Sequence, residues 1–167
     1  MITKNDFHKV IIGRAELLHF LDFEIADIPA KTDTGAYRSA IHATNIKLIE
    51  NGLRLKFDVL GGHPVCGELS QTIIVDKFKK VGIANSFGDR EERYEVWLKI
   101  KLGPRIFRAS FTLADRSKKI YPILLGRKLL NGRFLIDTQE TSVDRVQLKV
   151  LYGIEMPDDE ELRKDIL

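Results

Sequence analysis

Period-two alternation of apolar and polar residues constrains the fold of this chain more than any other feature. Between residues 53 and 59 every second residue is apolar, namely Leu53, Leu55, Phe57 and Val59. Because successive side chains of a strand point to opposite faces, this pattern predicts a strand with one buried face. Asn51-Gly52 joins it to the apolar segment 46–50, and Asn-Gly suits the positive φ angles of a type I′ turn. The sequence therefore predicts a β-hairpin here.

The same signals recur along the chain. A second hairpin is predicted where residues 95–102 meet residues 106–113 across Gly103-Pro104-Arg105. Its return strand would carry four apolar residues on one face: Phe107, Ala109, Phe111 and Leu113. Further predicted strands are 10–12, 72–75, 120–125, 134–136 and 146–151, and the helix signals are one turn at 128–131 and a short tail helix at 157–167. Many short strands separated by turns are typical of a mainly β barrel or sandwich.

Composition bounds the class of protein. With 167 residues, 44% of them hydrophobic and 31% charged, the chain has the size and make-up of one globular domain. No apolar stretch approaches the roughly 20 residues that span a bilayer, and the net charge is only +3, so we expect no membrane span and no nucleic-acid partner. The acidic run 158–161 suggests a domain over residues 1–153 followed by an acidic tail or short helix over 154–167. A single cysteine, Cys66, and N-terminal residues without a secretory signal pattern favour a cytoplasmic location.

Asp33-Thr34-Gly35 is the motif with the most chemical content. It follows an apolar segment around Ile28, which suggests a strand that ends in a tight turn carrying one carboxylate. An aspartic peptidase presents its catalytic Asp in this way. Hydrolysis of a peptide bond by carboxylates needs two of them sharing one proton, one activating a water and the other polarising the carbonyl. The alternative is an ordinary turn, in which Asp33 bonds its own backbone and Gly35 supplies a positive φ.

A second carboxylate of the same kind is missing from the sequence. Asp137-Thr138-Gln139 lacks the glycine, although an internal echo relates the two regions: Ile11-Ile12-Gly13-Arg14 and Leu124-Leu125-Gly126-Arg127 each combine an apolar pair with Gly-Arg and have an Asp-Thr downstream. A twofold axis between two copies of Asp33 would complete the pair. We therefore expect a homodimer.

Three blocks of sequence resemble the retropepsin-like aspartic peptidases, and in particular a bacterial family labelled ATP-dependent zinc proteases. The blocks are Ala30-Lys31-Thr32-Asp33-Thr34-Gly35-Ala36, Ser39-Ala40-Ile41-His42-Ala43 and Pro122-Ile123-Leu124-Leu125-Gly126-Arg127. The resemblance implies a closed acid-protease-like β-barrel with one or two short helices. It also implies an association with ATP-grasp ligases that append glutamates, and hence peptide or isopeptide bonds of glutamyl-modified proteins as substrates.

The resemblance assigns roles to residues of the site. Asp33 would be catalytic, Thr34 would hydrogen-bond across the dimeric turn, and Gly35, followed by Ala36, would admit the substrate backbone. A flap is expected over residues 82–93, and its polar tip makes Asn85, Ser86 and Gly88 candidates for substrate contact. Gly126 and Arg127 would support the turn.

The chain departs from the viral retropepsins directly after the motif. Those enzymes continue with an acid that pairs with the arginine of the Gly-Arg block, whereas Tyr37-Arg38 stands here. Arg127 therefore needs another carboxylate, or it binds substrate. Arg38, beside the active turn, would favour acidic substrates such as glutamyl tails.

Two other functions remain open. A zinc-dependent peptidase would have to assemble its metal from His42, His63, Cys66 and Glu68, without a His-Glu-x-x-His motif. Gly61-Gly62-His63-Pro64 is not followed by Gly-Lys-Ser/Thr, so it does not match a phosphate-binding loop, and we expect neither metal nor nucleotide cofactor. The runner-up to an aspartic endopeptidase is a non-catalytic module that holds a peptide in the flap groove by strand addition.

Overall fold

A computed structural model describes residues 8–85 and 87–154 of the chain. Eleven strands and two α-helices fall within these residues. The strands are β1 (Val10–Ile12), β2 (Ala15–Phe20), β3 (Ile25–Thr32), β4 (Ser39–Ile49), β5 (Arg54–Val59), β6 (Gln71–Val75), β7 (Phe78–Ala84), β8 (Arg90–Leu102), β9 (Arg105–Ala114), β10 (Ile123–Leu125) and β11 (Phe134–Ile136), and the helices are α1 (Arg127–Leu130) and α2 (Arg145–Tyr152). The predicted mainly β class is confirmed.

The main sheet closes on itself. Its strands follow the order β10-β3-β2-β8-β9-β4-β5-β6, and β10 also pairs with β4. This double pairing makes a ring of six strands, from β10 through β3, β2, β8, β9 and β4. The short strand β10 therefore lies between the strand that leads into Asp33 and the strand that follows it, with parallel and antiparallel pairing respectively.

The main apolar core lies inside the ring and includes the buried residues of the neighbouring strand β5. The alternating strands turn their apolar faces inward, so that the largest fully buried side chains include Phe20, Phe57, Phe111, Leu18, Leu98 and Ile100. The predicted apolar face of β9 is confirmed, because Ala109, Phe111 and Leu113 belong to this core and Phe107 packs against it. Burial of such side chains is the main favourable term in folding.

Both predicted hairpins are present. In the first, Ile49 pairs with Arg54, so the connection has four residues, and Asn51 and Gly52 carry the expected positive φ of 58° and 85°. Leu53, predicted on the strand, ends this turn and is exposed. In the second, Leu102 pairs with Arg105, which leaves Gly103-Pro104 as the loop.

The prediction of a strand over residues 146–151 is wrong, because these residues belong to helix α2. The Asp144 carboxylate caps this helix by accepting from the backbone N–H groups of Val146 and Gln147, and Gly153 ends it with φ 86°. These capping signals outweigh the β propensity of the valines.

Smaller outcomes concern single elements. The predicted strand 120–125 is limited to Ile123–Leu125, the turn at 128–131 forms α1, and β2 and β7 were not predicted as strands. The predicted tail helix at 157–167 lies outside the described residues. Within the described residues, neither helix has the length and apolar character that crossing a membrane requires.

Candidate active site

Asp33 lies immediately after β3, where the parallel partner β10 ends. Its backbone N–H donates to the carbonyl of Leu125 at 2.9 Å and continues the ladder by one residue. Thr32 fixes the preceding position, since its hydroxyl donates to the carbonyl of Arg14 at 2.8 Å. The half-buried Asp33 side chain thus starts from a rigid strand end.

The Asp33 turn is closed by its own carboxylate. Asp33 Oδ1 accepts from the N–H of Gly35 at 3.0 Å, and the Asp33 carbonyl accepts from Ala36 at 3.3 Å. The positive-φ glycines of the described residues do not include Gly35. A Cβ at Gly35 would lie 3.2 Å from Asp33 Oδ1. Glycine at this position therefore makes room for the carboxylate and does not supply a left-handed turn.

Arg127 clamps the turn from the opposite side. Its Nη1 donates to the carbonyls of Thr34 at 2.9 Å and Gly35 at 3.0 Å, and its backbone N–H donates to Ala36 at 2.8 Å. The expected carboxylate partner is therefore replaced by backbone carbonyls of the turn, which accept from Arg127 Nη1, and contact of Arg127 with substrate stays a prediction. Charge-assisted bonds of this kind are stronger than neutral ones.

Gly126 permits this close approach. A Cβ there would lie 2.6 Å from the Arg38 carbonyl carbon and oxygen. The buried hydroxyl of Ser39 accepts from the Gly126 N–H at 3.0 Å. The second and third sequence blocks are thus bonded to each other directly behind the Asp33 turn.

The Asp33 turn has a structural twin formed by Asp137-Thr138-Gln139-Glu140 and Gly13-Arg14. A Cβ on Gly13 would overlap the Glu140 carbonyl, just as a Cβ on Gly126 would overlap the backbone of Arg38. The internal echo in the sequence corresponds to this repeated arrangement in space. The equivalent bonds are Asp137 N–H to the Ile12 carbonyl (2.9 Å), Gln139 N–H to Asp137 Oδ1 (2.9 Å), Arg14 N–H to the Glu140 carbonyl (2.9 Å) and Arg14 Nη1 to the Thr138 carbonyl (3.0 Å).

Asp33 opens onto a basic cavity of about 680 Å³. Seven of its lining residues are cationic and, among the described residues that line it, Asp33 is the sole acid. The cationic residues are Arg14, Lys31, Arg116, Lys118, Lys119, Arg145 and Lys149. A cavity lined by one sign of charge concentrates ligands of the opposite sign.

The predicted flap is an antiparallel hairpin formed by β7 and β8. Gly82, Ile83 and Ala84 face the Asp33 turn across a second groove, of about 330 Å³. At the tip, Asn85 Oδ1 accepts from the N–H groups of Phe87 and Asp89, so this side chain holds the tip together.

The other predicted tip residues are placed as follows. Gly88 supplies a positive φ of 87° at the exposed tip, and Ser86 lies outside the described residues. Contact of Asn85, Ser86 or Gly88 with substrate stays a prediction. The flap residues that line the groove are those of the strands below the tip.

Glu95 is a residue of the site region that sequence reasoning missed. Its carboxylate is fully buried and lies 2.8 Å from Lys128 Nζ, 3.3 Å from Lys79 Nζ and 3.7 Å from Arg38 Nε. Burial alone raises its pKa, but hydrogen bonds from Lys128 and Ser110 together with the nearby positive charge outweigh this and lower the pKa. Glu95 thus links the flap, α1 and the segment after the active turn. The available sequence signal was an acid between Tyr94 and Val96, where strand β8 changes from charged to mostly apolar residues.

His42 and His63 are buried neighbours, with ring centroids 5.2 Å apart. Their nitrogens are already bonded to backbone: His42 Nδ1 accepts from Arg116 and its Nε2 lies 2.9 Å from the Gly61 carbonyl, while His63 Nδ1 accepts from Val65 and its Nε2 lies 2.9 Å from the Lys119 carbonyl. Burial raises the pKa of Cys66 to about 12, which disfavours the thiolate that binds metal. Because these donors are engaged or protonated, the residues do not fit a zinc site. No group of three or more His, Cys, Asp or Glu that could hold a metal occurs among the described residues.

The sheet is closed, and Asp33 lies in a turn at the end of one of its strands. Gly126-Arg127 holds this turn, and a hairpin flap faces it. Together these features define an aspartic-protease-like fold. A family model described as retropepsin-like aspartic endopeptidase RimB matches residues 11–147, and the chain belongs to this RimB-like family.

Relatives and a solved structure extend the comparison. The chain is 32% identical over 157 residues to a probable alpha-L-glutamate ligase of Shewanella halifaxensis, covering 88% of this chain and 33% of the relative. It is 31% identical over 136 residues to a probable alpha-L-glutamate ligase of Desulfotalea psychrophila, with 79% and 29% covered. The chain thus spans about a third of the length of the curated relatives it matches. A crystal structure of a Legionella pneumophila protein of unknown function (DUF785) superposes with a TM-score of 0.63 and 30% identity, over 79% of this chain and 95% of that one.

Proposed function

We propose that this chain is an aspartic endopeptidase that works as a homodimer, with one Asp33 from each subunit. The observation that carries the proposal is the Asp33 turn itself. A half-buried carboxylate is fixed at a strand end, clamped through backbone carbonyls by Arg127, and opens onto a cavity. Membership of the RimB-like family supports the same reaction class.

The reaction needs both carboxylates in different protonation states. Two carboxylates about 3 Å apart cannot both ionise, so the dimer would hold one shared proton. The ionised Asp33 takes a proton from a water, which attacks the scissile carbonyl, while the protonated Asp33 donates to the carbonyl oxygen. Proton transfer to the leaving nitrogen then breaks the C–N bond and yields a carboxylate and an amine.

Acidic peptides are the substrate class that the cavity favours. Seven cationic residues line the cavity onto which Asp33 opens. Their combined charge would attract a chain of glutamates before specific contacts to each residue form. The relatives matched over this length are named probable alpha-L-glutamate ligases, which directs attention to glutamyl-modified proteins and to peptide or isopeptide bonds of glutamate. An ATP-grasp ligase is the partner we propose on the same ground.

The test compares Asp33→Asn with Asp137→Asn. The second variant makes the same substitution in the equivalent turn, where the carboxylate accepts the same backbone bond, so it controls for structural effects of replacing Asp by Asn. We expect Asp33→Asn to abolish hydrolysis of a glutamyl peptide and Asp137→Asn to retain it. Activity that survives Asp33→Asn would contradict the aspartic mechanism, and activity lost only with a chelator would favour a metal enzyme. Sedimentation of the active species as a monomer would contradict the paired carboxylates.

A peptide-binding module is the second candidate, and the flap favours it. Among the described residues β7 pairs only with β8, so its other edge is available for an extended peptide. Binding of glutamyl peptides without any Asp33-dependent cleavage would support this function.

A further inference from the structure

The backbone of Arg116 is held on both sides by buried histidines. Its N–H donates to His42 Nδ1 at 2.9 Å, and its carbonyl lies 3.1 Å from His63 Nε2. Arg116 Nε donates to the carbonyl of Tyr121 at 3.0 Å. These three bonds fix the direction of a side chain that lines both the basic cavity and the flap groove.

The Arg116 guanidinium lacks a carboxylate partner within salt-bridge distance among the described residues. Burial lowers its pKa, the charge of Arg93 lowers it further, and the charge of Asp33 acts in the opposite direction. A desolvated cation that is repelled by a second cation is costly unless an anion compensates it. The arrangement therefore points to an anion that arrives with a ligand.

Three guanidinium groups line the flap groove, and two of them already lie beside a carboxylate, since Arg38 Nε is 3.7 Å from Glu95 and Arg93 Nη2 is 2.8 Å from Glu91. Arg38, Arg93 and Arg116 all line the groove, and its described lining residues include no acid. Arg38 Nε and Arg93 Nε are buried without a hydrogen-bond partner. Glu91 is exposed and accepts from Nη2 of Arg93, whose side chain also lines the groove. Planar guanidinium groups are well suited to bind a carboxylate through two parallel bonds.

We propose that Arg93 and Arg116, assisted by Arg38, form the subsite that binds the side-chain carboxylate of an acidic substrate residue beside the scissile bond. The inference rests on the proposed function, since it places the substrate between the flap and Asp33. Arg93 belongs to flap strand β8, whereas Arg116 follows β9 and lies outside the flap hairpin. A substrate carboxylate bound by both residues would connect the flap to the segment after β9. Binding of a glutamate side chain would then also hold the flap closed over the substrate. His42 and His63 act as positioning residues for Arg116.

The experiment measures binding separately from cleavage. Calorimetry on the Asp33→Asn protein, at fixed ionic strength, compares tetraglutamate with the nearly isosteric tetraglutamine. We expect tetraglutamate to bind more tightly, and Arg93→Gln and Arg116→Gln each to weaken tetraglutamate binding about 10-fold or more while changing tetraglutamine binding little. Arg90→Gln is the matched control, because Arg90 lies on the same strand outside the groove lining.

The outcomes separate the two proposals. Equal affinity for the two peptides, or a preference for glutamate that survives both arginine variants, would overturn the subsite even if Asp33-dependent hydrolysis is found. An arginine-dependent preference without hydrolysis would support the subsite and contradict the proposed enzyme. If Arg116→Gln fails to fold, as circular dichroism would reveal, Arg93→Gln decides the question, since its backbone is part of a regular hairpin.

Discussion

Replacing Glu95 by glutamine tests how the flap, α1 and the active turn are held together. The Glu95 side chain is fully buried, and the three cations around it come from three different segments: Lys128 from α1, Lys79 from β7 and Arg38 from the segment after the Asp33 turn. Glu95→Gln preserves the shape and removes the charge. The three cations would then face one another without an acid between them.

The magnitude follows from burial and exposure. Removing one partner of a buried ion pair costs about 3–5 kcal/mol. Here the cations keep part of their hydration, because the side chains of Lys128, Lys79 and Arg38 are 33%, 51% and 30% exposed. We therefore expect a loss of about 2–3 kcal/mol in the free energy of unfolding, or about 5–10 °C in Tm for a chain of this size.

Urea and thermal unfolding at pH 7.5 provide the assay, with Glu92→Gln as the control. Glu92 lies three residues earlier on the same strand, β8. Its ion pair with Lys80, at 3.6 Å, is mostly exposed, because the Glu92 and Lys80 side chains are 76% and 57% accessible. Its replacement should cost less than about 0.5 kcal/mol. Equal destabilisation by the two variants, or a Glu95→Gln protein as stable as wild type, would refute the reasoning.

The pH dependence gives a second check on Glu95. Because its pKa in the folded protein is lowered from 4.5, its stabilising contribution is present above about pH 4.5 and is lost as pH falls through the lower value. The difference between wild type and Glu95→Gln should be constant between about pH 6 and 8 and should shrink in acid.

Three further predictions concern other parts of the site. Gly126→Ala would place a Cβ 2.6 Å from the Arg38 backbone and should lower the free energy of unfolding in urea by about 1–3 kcal/mol. Gly82→Ala, with open space around it, should lower it by less than about 1 kcal/mol. Equal losses for the two variants would contradict the close contact. Burial lowers the pKa of His63 below 6.5, so as pH falls His63 is protonated in the unfolded chain before it is protonated in the folded protein. The free energy of unfolding should therefore decrease below about pH 6.5. A His63→Gln protein with the same pH dependence of stability would exclude this cause. Cys66, buried and with its pKa raised to about 12, should react with iodoacetamide only after denaturant is added, and rapid labelling of the native protein would contradict this.

Local patterns accounted for the hairpins and for the position of Asp33. Alternation identified β5 and β9, and Asn51 and Gly103 marked the turns, because these signals depend on neighbouring residues alone. The strand predicted over 146–151 failed on equally local grounds, since Asp144 and Gly153 cap a helix there.

Contacts between distant segments could not be predicted in the same way. Arg127 reaches a turn 93 residues away, and Arg14 bonds to a carbonyl 124 residues away. The sequence echo suggested that the two regions are related, but only the structure shows that Gly13-Arg14 holds the Asp137 turn as Gly126-Arg127 holds the Asp33 turn.

By itself the sequence determined a mainly β chain with one Asp-Thr-Gly turn and a Gly-Arg block, because alternation and turn chemistry are encoded over a few residues. The tertiary structure alone decided that Arg127 binds backbone carbonyls, that Glu95 is buried among three cations and that Arg116 joins Arg38 and Arg93 in the flap groove. These features depend on closure of the sheet, which brings remote side chains together. Burial and charge, which give such groups their chemistry, exist only once that closure has occurred.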